Sequence, residues 1–362
     1  MSKNSNRINK LRQKLAENGL DAVLISQPEN RYYLSGFTGS AGFLLISQTQ
    51  AVLAVDFRYL EQAGLQAPDF RIFQIKNGLN SWFPALVSGM HLKSLGFESG
   101  NITVAAYHEL TRILEEGKSG ISLVPTTELV ESLRAIKEPE EIERITRAAE
   151  ISDAASDYIE SVVHTGLSEQ AIAWELEKFM REQGSQALPF EIIVASGPNS
   201  ALPHARPSSR TVKEGEPIVI DIGARVDGYA SDLSRTICIG ADDTFNKIYR
   251  VVLDAQLAAL SIIEEGITGD QADGAARTVI QKAGYGESFG HALGHGVGLA
   301  PHESPRLGPG SENPLRSGMV FTIEPGIYLP DWGGVRIEDL VTIENGRVKL
   351  ISKARKLYYD KR

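Results

Sequence analysis

One acidic residue stands inside the most apolar run of the second half of the chain. Asp221 interrupts residues 218–222, whose other members are all isoleucine or valine. A carboxylate in a strand core is costly unless it is paired or binds a metal ion. Asp232 follows eleven residues later, past a turn predicted at Asp227 and Gly228. An even loop centred on 226/227 or 227/228 pairs Asp221 with position 232 or 234 and puts both carboxylates on one face, whereas an odd loop separates them. The spacing leaves both arrangements open.

Two more acidic residues, Glu324 and Glu338, each close a short apolar run that reads as a strand. Four carboxylates in one pocket would repel one another, and two divalent cations would supply the positive charge that offsets this repulsion. His295 is a fifth candidate ligand, because it lies in the glycine-rich run 290–298, where the backbone can approach a ligand closely. Oxygen ligands with one imidazole suit Mn²⁺, and Co²⁺, Fe²⁺ or Zn²⁺ are also compatible.

A plainer interpretation is that these acids face water, as carboxylates usually do. It is reasonable for any one of the four and poor for all four together. Among the histidines, no convergent pattern surrounds His91, His108 or His164, so we expect these to be surface or ordinary core residues. His204 and His302 are weak signals when taken alone.

The elements that must position these residues differ between the two parts of the chain. The first third alternates short apolar runs with helical patterns, which indicates an α/β layer ending near residue 127. Its predicted strands are 22–25, 42–46, 51–55 and 72–75, and its predicted helices follow Ile8, Leu11 and Leu15 and cover 58–66 and 104–116. A long helix is predicted to begin at Pro139, and we place the domain boundary at about residue 130, giving domains 1–130 and 131–362.

The second domain is predicted to be α+β, with largely antiparallel strand pairs. Its predicted strands are 190–195, 218–224, 229–239, 319–323 and 335–343, and helices are predicted at 245–264 and 270–283.

Composition excludes several classes of protein. The 362 residues are 42% hydrophobic and 23% charged, as in ordinary globular proteins. The net charge of −9 disfavours nucleic acid and anionic lipid as partners. The single cysteine, Cys238, fits a reducing compartment, and we find no secretory signal and no apolar run long enough to span a membrane, so we expect a cytoplasmic protein.

The same residues carry a resemblance to the pita-bread metallopeptidases, which include methionine aminopeptidase, aminopeptidase P and prolidase. The matching segments are IDIGARVDGYASDLSRT, GHALGHGVGLAPHE, FTIEPGIY and GGVRIED. In the first domain, NRYYLSGFTGSAG and DFRYLEQA resemble the N-terminal domain of aminopeptidase P and prolidase, which methionine aminopeptidases lack. The resemblance spans essentially the whole chain and implies a pita-bread catalytic domain behind a smaller α/β domain.

The resemblance also implies roles for individual residues. The implied metal ligands are Asp221, Asp232, His295, Glu324 and Glu338, with Asp232 and Glu338 bridging two ions that activate a water molecule. Glu324 would shuttle a proton to the leaving nitrogen. His204 and His302 match histidines that contact substrate, His291 matches another active-site histidine, and Arg336 would hold an acidic ligand in place.

The family resemblance implies that the substrates are small peptides with proline in second position. The Xaa-Pro bond is a tertiary amide without an N–H, and ordinary peptidases cleave it poorly. We predict an aminopeptidase P, with prolidase, which splits only dipeptides, as the alternative. A homodimer is implied, because a neighbouring N-terminal domain typically limits substrate length in this family. Arg58 and Tyr59 could serve that role, although we favour a structural one for both.

Two alternatives from other classes stay open. The segment Gly286 to Gly290 satisfies the G-x-S-x-G pattern of serine hydrolases around Ser288, but that motif requires a preceding strand and a following helix, and we predict a helix before it and a loop after it. A non-catalytic binding protein with the same pocket is the other alternative, and the unsubstituted ligand set argues against it.

Overall fold

The structure of the chain is a computed structural model that describes residues 3–357. The chain divides into two compact units, one up to Arg134 and one from Ala135 onward. The outer limits of the two predicted domains, residues 1 and 362, lie outside the described range. Within that range, no helix is both long and apolar enough to cross a lipid bilayer.

The N-terminal unit is a six-stranded mixed sheet flanked by helices. Its elements are α1 (Lys3–Glu17), β1 (Ala22–Ile25), α2 (Pro28–Ser35), β2 (Phe43–Ser47), β3 (Ala51–Val55), α3 (Leu60–Gln66), β4 (Arg71–Gln74), α4 (Leu79–Val87), β5 (Ser94–Glu98), α5 (Val104–Glu116), β6 (Ser122–Thr126) and α6 (Glu131–Arg134). The strand order is β4-β3-β2-β1-β5-β6, antiparallel at β1–β2 and β2–β3 and parallel at the other pairings. The predicted α/β class of this part is confirmed.

Two strands, β5 and β6, and three helices, α2, α4 and α6, of this unit were not predicted. Strand β5 contains Gly96 and β6 contains Pro125, and both residues weaken a strand pattern. Helix α2 has no regular apolar stripe, because it buries Asn30 and Arg31 beside its apolar residues. Both polar side chains form hydrogen bonds inside the unit: the Arg31 guanidinium donates to the carbonyls of Gly39 and Gly42 at 2.8 Å each, and Asn30 Nδ2 donates to Glu98 Oε1 at 2.7 Å.

The C-terminal unit has four α-helices and twelve short strands within the described residues. They are α7 (Pro139–Val162), α8 (Glu169–Glu182), β7 (Ile193–Ser196), β8 (Pro217–Ile222), β9 (Arg225–Val226), β10 (Tyr229–Ala230), β11 (Leu233–Cys238), α9 (Asp243–Ile262), α10 (Gly269–Lys282), β12 (Gly294–Gly296), β13 (Glu303–Leu307), β14 (Val320–Ile323), β15 (Gly326–Leu329), β16 (Gly333–Arg336), β17 (Asp339–Glu344) and β18 (Arg347–Leu350). All their strand pairings are antiparallel, so the predicted α+β class is confirmed.

Local sequence explains where the long helices of this unit begin. Pro139 occupies the first turn of α7, and Glu141 Oε2 accepts a hydrogen bond from the backbone N–H of Glu138 at 2.9 Å. The Asp242 carboxylate caps α9 by accepting from the N–H of Phe245 at 2.7 Å. Helix α9 then packs against α10 and buries an apolar face.

Two of the predicted strands are broken in the structure. The run 229–239 splits into β10 and β11, and the run 335–343 splits into β16 and β17. The gaps contain Asp232 and Glu338. At the second gap, the N–H of Glu338 donates to the carbonyl of Ser234 in a different strand, at 3.0 Å. Apolar periodicity cannot reveal such a break, because the bond that causes it joins residues about a hundred positions apart.

Candidate metal centre

The hairpin built by β8 and β11 decides how the first two acids meet. Asp221 pairs with Ser234, and the loop is the dipeptide Asp227-Gly228, with φ of 48° and 84°. Positive φ at both positions is typical of a two-residue type I′ turn. The even-loop arrangement centred on 227/228 is therefore correct, and side-chain alternation puts Asp221, Asp232 and Ser234 on the same face.

His295 and Glu324 come from the larger sheet of the unit. His295 lies in β12, and Glu324 follows the last residue of β14. The backbone N–H of His295 donates to Thr322 Oγ1 at 3.1 Å, and the Thr322 hydroxyl donates to Glu324 Oε1 at 3.0 Å. His295 Nε2 lies 3.2 Å from Glu324 Oε1 and 3.7 Å from Asp232 Oδ2. One imidazole nitrogen thus approaches two of the predicted acids.

Glu338 completes a group that could hold an ion. One ligand atom each from Asp232, His295 and Glu338 lies within 4.8 Å of the others, a spacing that a single divalent cation can bridge. Glu338 is only 2% exposed and Asp232 only 5%. The Ser234 hydroxyl donates to Glu338 Oε2 at 2.7 Å and so orients this carboxylate.

Asp221 lies at the same site and carries an unsatisfied atom. Arg336 Nη2 donates to Asp221 Oδ2 at 2.7 Å, whereas Asp221 Oδ1 is buried with no hydrogen-bond partner. A buried carboxylate oxygen without a partner is costly, and a cation would satisfy it. The donor set of carboxylates and one imidazole therefore fits a divalent ion.

The pKa shifts at the site reflect crowding of negative charge. Burial, followed by the charges of neighbouring carboxylates, raises the pKa of Asp232 and of Glu338 well above their ordinary values. Burial likewise raises the pKa of Asp221, although the charge of Arg336 opposes the shift. For Glu324, burial also acts upward and is the largest single influence, but the hydrogen bond and charge of His295, together with the charges of His291 and Arg336, outweigh it and the pKa is lowered. Without metal, the pocket favours bound protons, which a cation would displace.

In metal-free protein, Asp232 should therefore contribute to the free energy of unfolding a term that grows as the pH falls through the folded pKa of this residue. The folded pKa of Asp232 lies above the unfolded value of about 3.9, so this term is fully present below the unfolded value and is lost as the pH rises through the folded pKa. Urea unfolding in chelator at several pH values measures it, as the difference between wild type and Asp232→Asn. Equal pH slopes for the two proteins would contradict this expectation, and saturating Mn²⁺ should reduce the difference at neutral pH.

The remaining predicted site residues lie around this cluster. The centroid of the His302 ring lies 4.0 Å from that of the His295 ring, and His302 as a whole residue is exposed. His291 Nε2 lies 2.9 Å from the Tyr328 hydroxyl. His204 is exposed and makes no contact as close as these, but it follows Pro203, whose carbonyl accepts from Arg336 Nη1 at 3.3 Å.

Arg336 is buried, with 3% of the residue exposed, so it is not a solvated surface arginine. Its Nε donates to Ser234 Oγ at 2.8 Å and its Nη1 to the Tyr328 hydroxyl at 3.0 Å. Ser234 and Tyr328 were not predicted. Ser234 could have been found from the hairpin register, because it stands two residues after Asp232, whereas no pattern singles out Tyr328.

The serine hydrolase alternative is wrong for this fold. Ser288 lies in a short 3-10 helix, Gly286–Ser288, that follows helix α10 rather than a strand. The strand–serine–helix geometry that exposes the nucleophile in such enzymes is absent from this part of the described chain.

Comparison with known proteins agrees with this geometry. Residues 143–345 match the model of metallopeptidase family M24, and residues 7–136 match the Creatinase/Prolidase N-terminal domain. A solved Xaa-Pro dipeptidase from Bacillus anthracis is 41% identical over 98% of each chain, with a TM-score of 0.94.

Two further relatives also match nearly end to end. An Xaa-Pro dipeptidase from Pyrococcus horikoshii is 38% identical over 97% of this chain and 98% of its own. The structure of an X-Pro aminopeptidase from Thermotoga maritima is 36% identical, covers 93% of this chain and 97% of its own, and has a TM-score of 0.85. The chain therefore belongs to metallopeptidase family M24, with a pita-bread catalytic unit and a Creatinase/Prolidase N-terminal domain.

Proposed function

We propose that this protein is an Xaa-Pro dipeptidase that hydrolyses the bond before the proline of a dipeptide. The observation that carries the proposal is the convergence of Asp232, His295 and Glu338 beside the unpartnered oxygen of Asp221. Among the relatives, those named Xaa-Pro dipeptidase favour the dipeptidase over the aminopeptidase P that we predicted from sequence.

Five residues would hold two divalent ions in this proposal. They are Asp221, Asp232, His295, Glu324 and Glu338, with Asp232 and Glu338 shared between the ions. When bound, such ions polarise the scissile carbonyl and lower the pKa of water. Manganese remains the predicted metal, and metal analysis of protein purified without added ions would test it.

The other side chains would act on the peptide and its protons. Glu324, hydrogen-bonded to His295 and Thr322, would accept a proton from the attacking water and pass it to the proline nitrogen. His302, beside His295, would donate a hydrogen bond to the developing oxyanion. His204 and His291 would contact the substrate, and Arg336 would keep Asp221 ionised and oriented.

An aminopeptidase P is the second candidate, and the Thermotoga relative favours it. A dipeptidase must accept a free carboxylate on the proline, whereas an aminopeptidase must accept a continuing chain. Assays of Xaa-Pro, Xaa-Pro-amide and Xaa-Pro-Yaa under saturating Mn²⁺ separate the two. We expect cleavage of the dipeptide and at least a tenfold loss with the amide; preferential cleavage of the tripeptide would reverse the assignment. A protein that binds ions and peptide without turnover would instead be a binding protein.

The remaining parts of the proposal concern organisation and location. We propose that residues 131–362 carry the chemistry and that residues 1–130 restrict substrate length within a homodimer. The cytoplasmic location stays a prediction from the single cysteine, which fits a reducing compartment. Light scattering of the purified protein would measure the oligomeric state.

A further inference from the structure

We propose that Gln256, held in one orientation by Lys356, is a positioning residue that sets the separation of Glu324 and Glu338. The inference rests on the proposed metal centre, because it concerns how two of its ligands are held. Gln256 lies on α9, is fully buried, and reaches the backbone beside both glutamates.

The Gln256 amide ties together two chain segments that each carry a glutamate. Its Nε2 donates to the carbonyl of Ile323 at 3.0 Å and to the carbonyl of Ile337 at 3.2 Å. Ile323 directly precedes Glu324, and Ile337 directly precedes Glu338. A single NH₂ group, which has two hydrogens, thus fixes the backbone just before two predicted ligands.

Lys356 decides which way this amide points. Its Nζ donates to Gln256 Oε1 at 2.8 Å, and an ammonium group can only donate. The oxygen of the amide must therefore face Lys356 and the nitrogen must face the two carbonyls. Without Lys356, the amide could rotate and place its oxygen against a carbonyl oxygen, which is repulsive.

Asp339 and Arg235 connect Lys356 to the backbone of Glu338. Asp339 follows Glu338 directly; its carboxylate forms ion pairs with Lys356 and, at 2.8 Å, with Arg235 Nη2. Arg235 Nη1 donates to the carbonyl of Ser234 at 2.9 Å and also to the carbonyl of Glu338. Glu338 is therefore fixed by backbone contacts on both of its sides.

Gln256 would therefore affect where Glu324 and Glu338 lie without touching their carboxylates. The side-chain hydrogen bonds of Gln256 go to the carbonyls of Ile323 and Ile337 and to Lys356, none of which is a predicted ligand, so the residue would act through the backbone. Partners that orient metal ligands typically change metal affinity or activity by about 10- to 100-fold when they are removed. We expect that range for the more weakly held ion.

The test compares Gln256→Met and Lys356→Met with Arg355→Met in the full-length protein. Arg355 is the matched control, because it neighbours Lys356 but forms an exposed ion pair with Glu160. Calorimetric titration of the metal-free proteins with Mn²⁺ measures the affinity for each ion, and kinetics at limiting and saturating Mn²⁺ measure kcat and KM. Urea unfolding of the metal-free proteins reports stability separately.

For Gln256→Met we expect about 10-fold or greater weakening of one Mn²⁺ site, a lower kcat at limiting Mn²⁺ and a KM within about twofold of wild type. Lys356→Met should change the same quantities in the same direction, and Arg355→Met should change none. Variants that lose stability but bind both ions with wild-type affinity and kcat would show a merely structural role and overturn the proposal.

If Gln256→Met does not fold, Lys356→Met and the isosteric Gln256→Glu decide. The latter keeps the Lys356 contact but loses the paired N–H donors, so wild-type Mn²⁺ affinity in it would also overturn the proposal. The Mn²⁺ titration of the wild-type protein comes first. Wild-type protein that takes up no ion would refute the metal centre itself rather than the role of Gln256.

Discussion

Asp232→Asn should lower kcat by on the order of 10³-fold or more, equivalent to about 4 kcal/mol of barrier, and leave the fold nearly intact. In the proposed site, Asp232 is shared between two ions, and an amide lacks the charge that holds them together. The fold should tolerate the change, because Asp232 is buried among carboxylates that already raise its pKa. Kinetics at saturating Mn²⁺, metal content and circular dichroism measure the three parts of this expectation.

Asp227→Asn is the matched control for this experiment. Asp227 belongs to the same hairpin but lies exposed in the turn, where its φ of 48° also suits asparagine. We expect near wild-type kinetics for the control. Full activity of Asp232→Asn at saturating Mn²⁺ would remove Asp232 from the site.

His302→Ala is expected to lower kcat by on the order of 10²-fold and leave metal content unchanged. The ring of His302 lies 4.0 Å from that of His295, tilted by 47°, but His302 is not among the residues whose ligand atoms converge. Although residue His302 is exposed overall, partial burial of its ring and the nearby charge of His295 lower its pKa, so the ring is neutral at neutral pH and can donate one hydrogen bond to an oxyanion. Steady-state kinetics and elemental analysis of the same preparation measure both quantities.

The control for this variant is His164→Ala. His164 is an exposed residue of the same unit, and its Nδ1 lies 3.0 Å from the carbonyl oxygen of the adjacent Thr165. We expect no change in kcat from this substitution. If His302→Ala loses metal, His302 is itself a ligand and the role proposed for it is wrong.

Much of the fold follows from local sequence. The helices that begin at Pro139 and near Asp242 are set by capping residues and an apolar stripe, which act within a few positions. The strands around Asp221 and Glu324 are set by branched apolar runs. The break at Glu338 could not be predicted in this way, because its backbone N–H donates to the carbonyl of Ser234, about a hundred positions away in the chain.

The candidate site divides in the same manner. Sequence alone determined which side chains are available for the site: four acids in apolar strands and a histidine among glycines. Such acids are costly to bury unless they are paired or bind a metal ion. The turn Asp227-Gly228 even restricted the register of the first pair to a few choices.

Only the tertiary structure decided which atoms meet. It brought ligand atoms of Asp232, His295 and Glu338 within 4.8 Å of one another and left one oxygen of Asp221 without a hydrogen-bond partner. It also placed the Gln256 amide against the carbonyls that directly precede Glu324 and Glu338. These contacts join residues about 60 to 115 positions apart in several cases, so no local periodicity encodes them. They arise because separate strands and a helix bury their apolar faces together, and the polar groups carried with them must then find partners in the same interior.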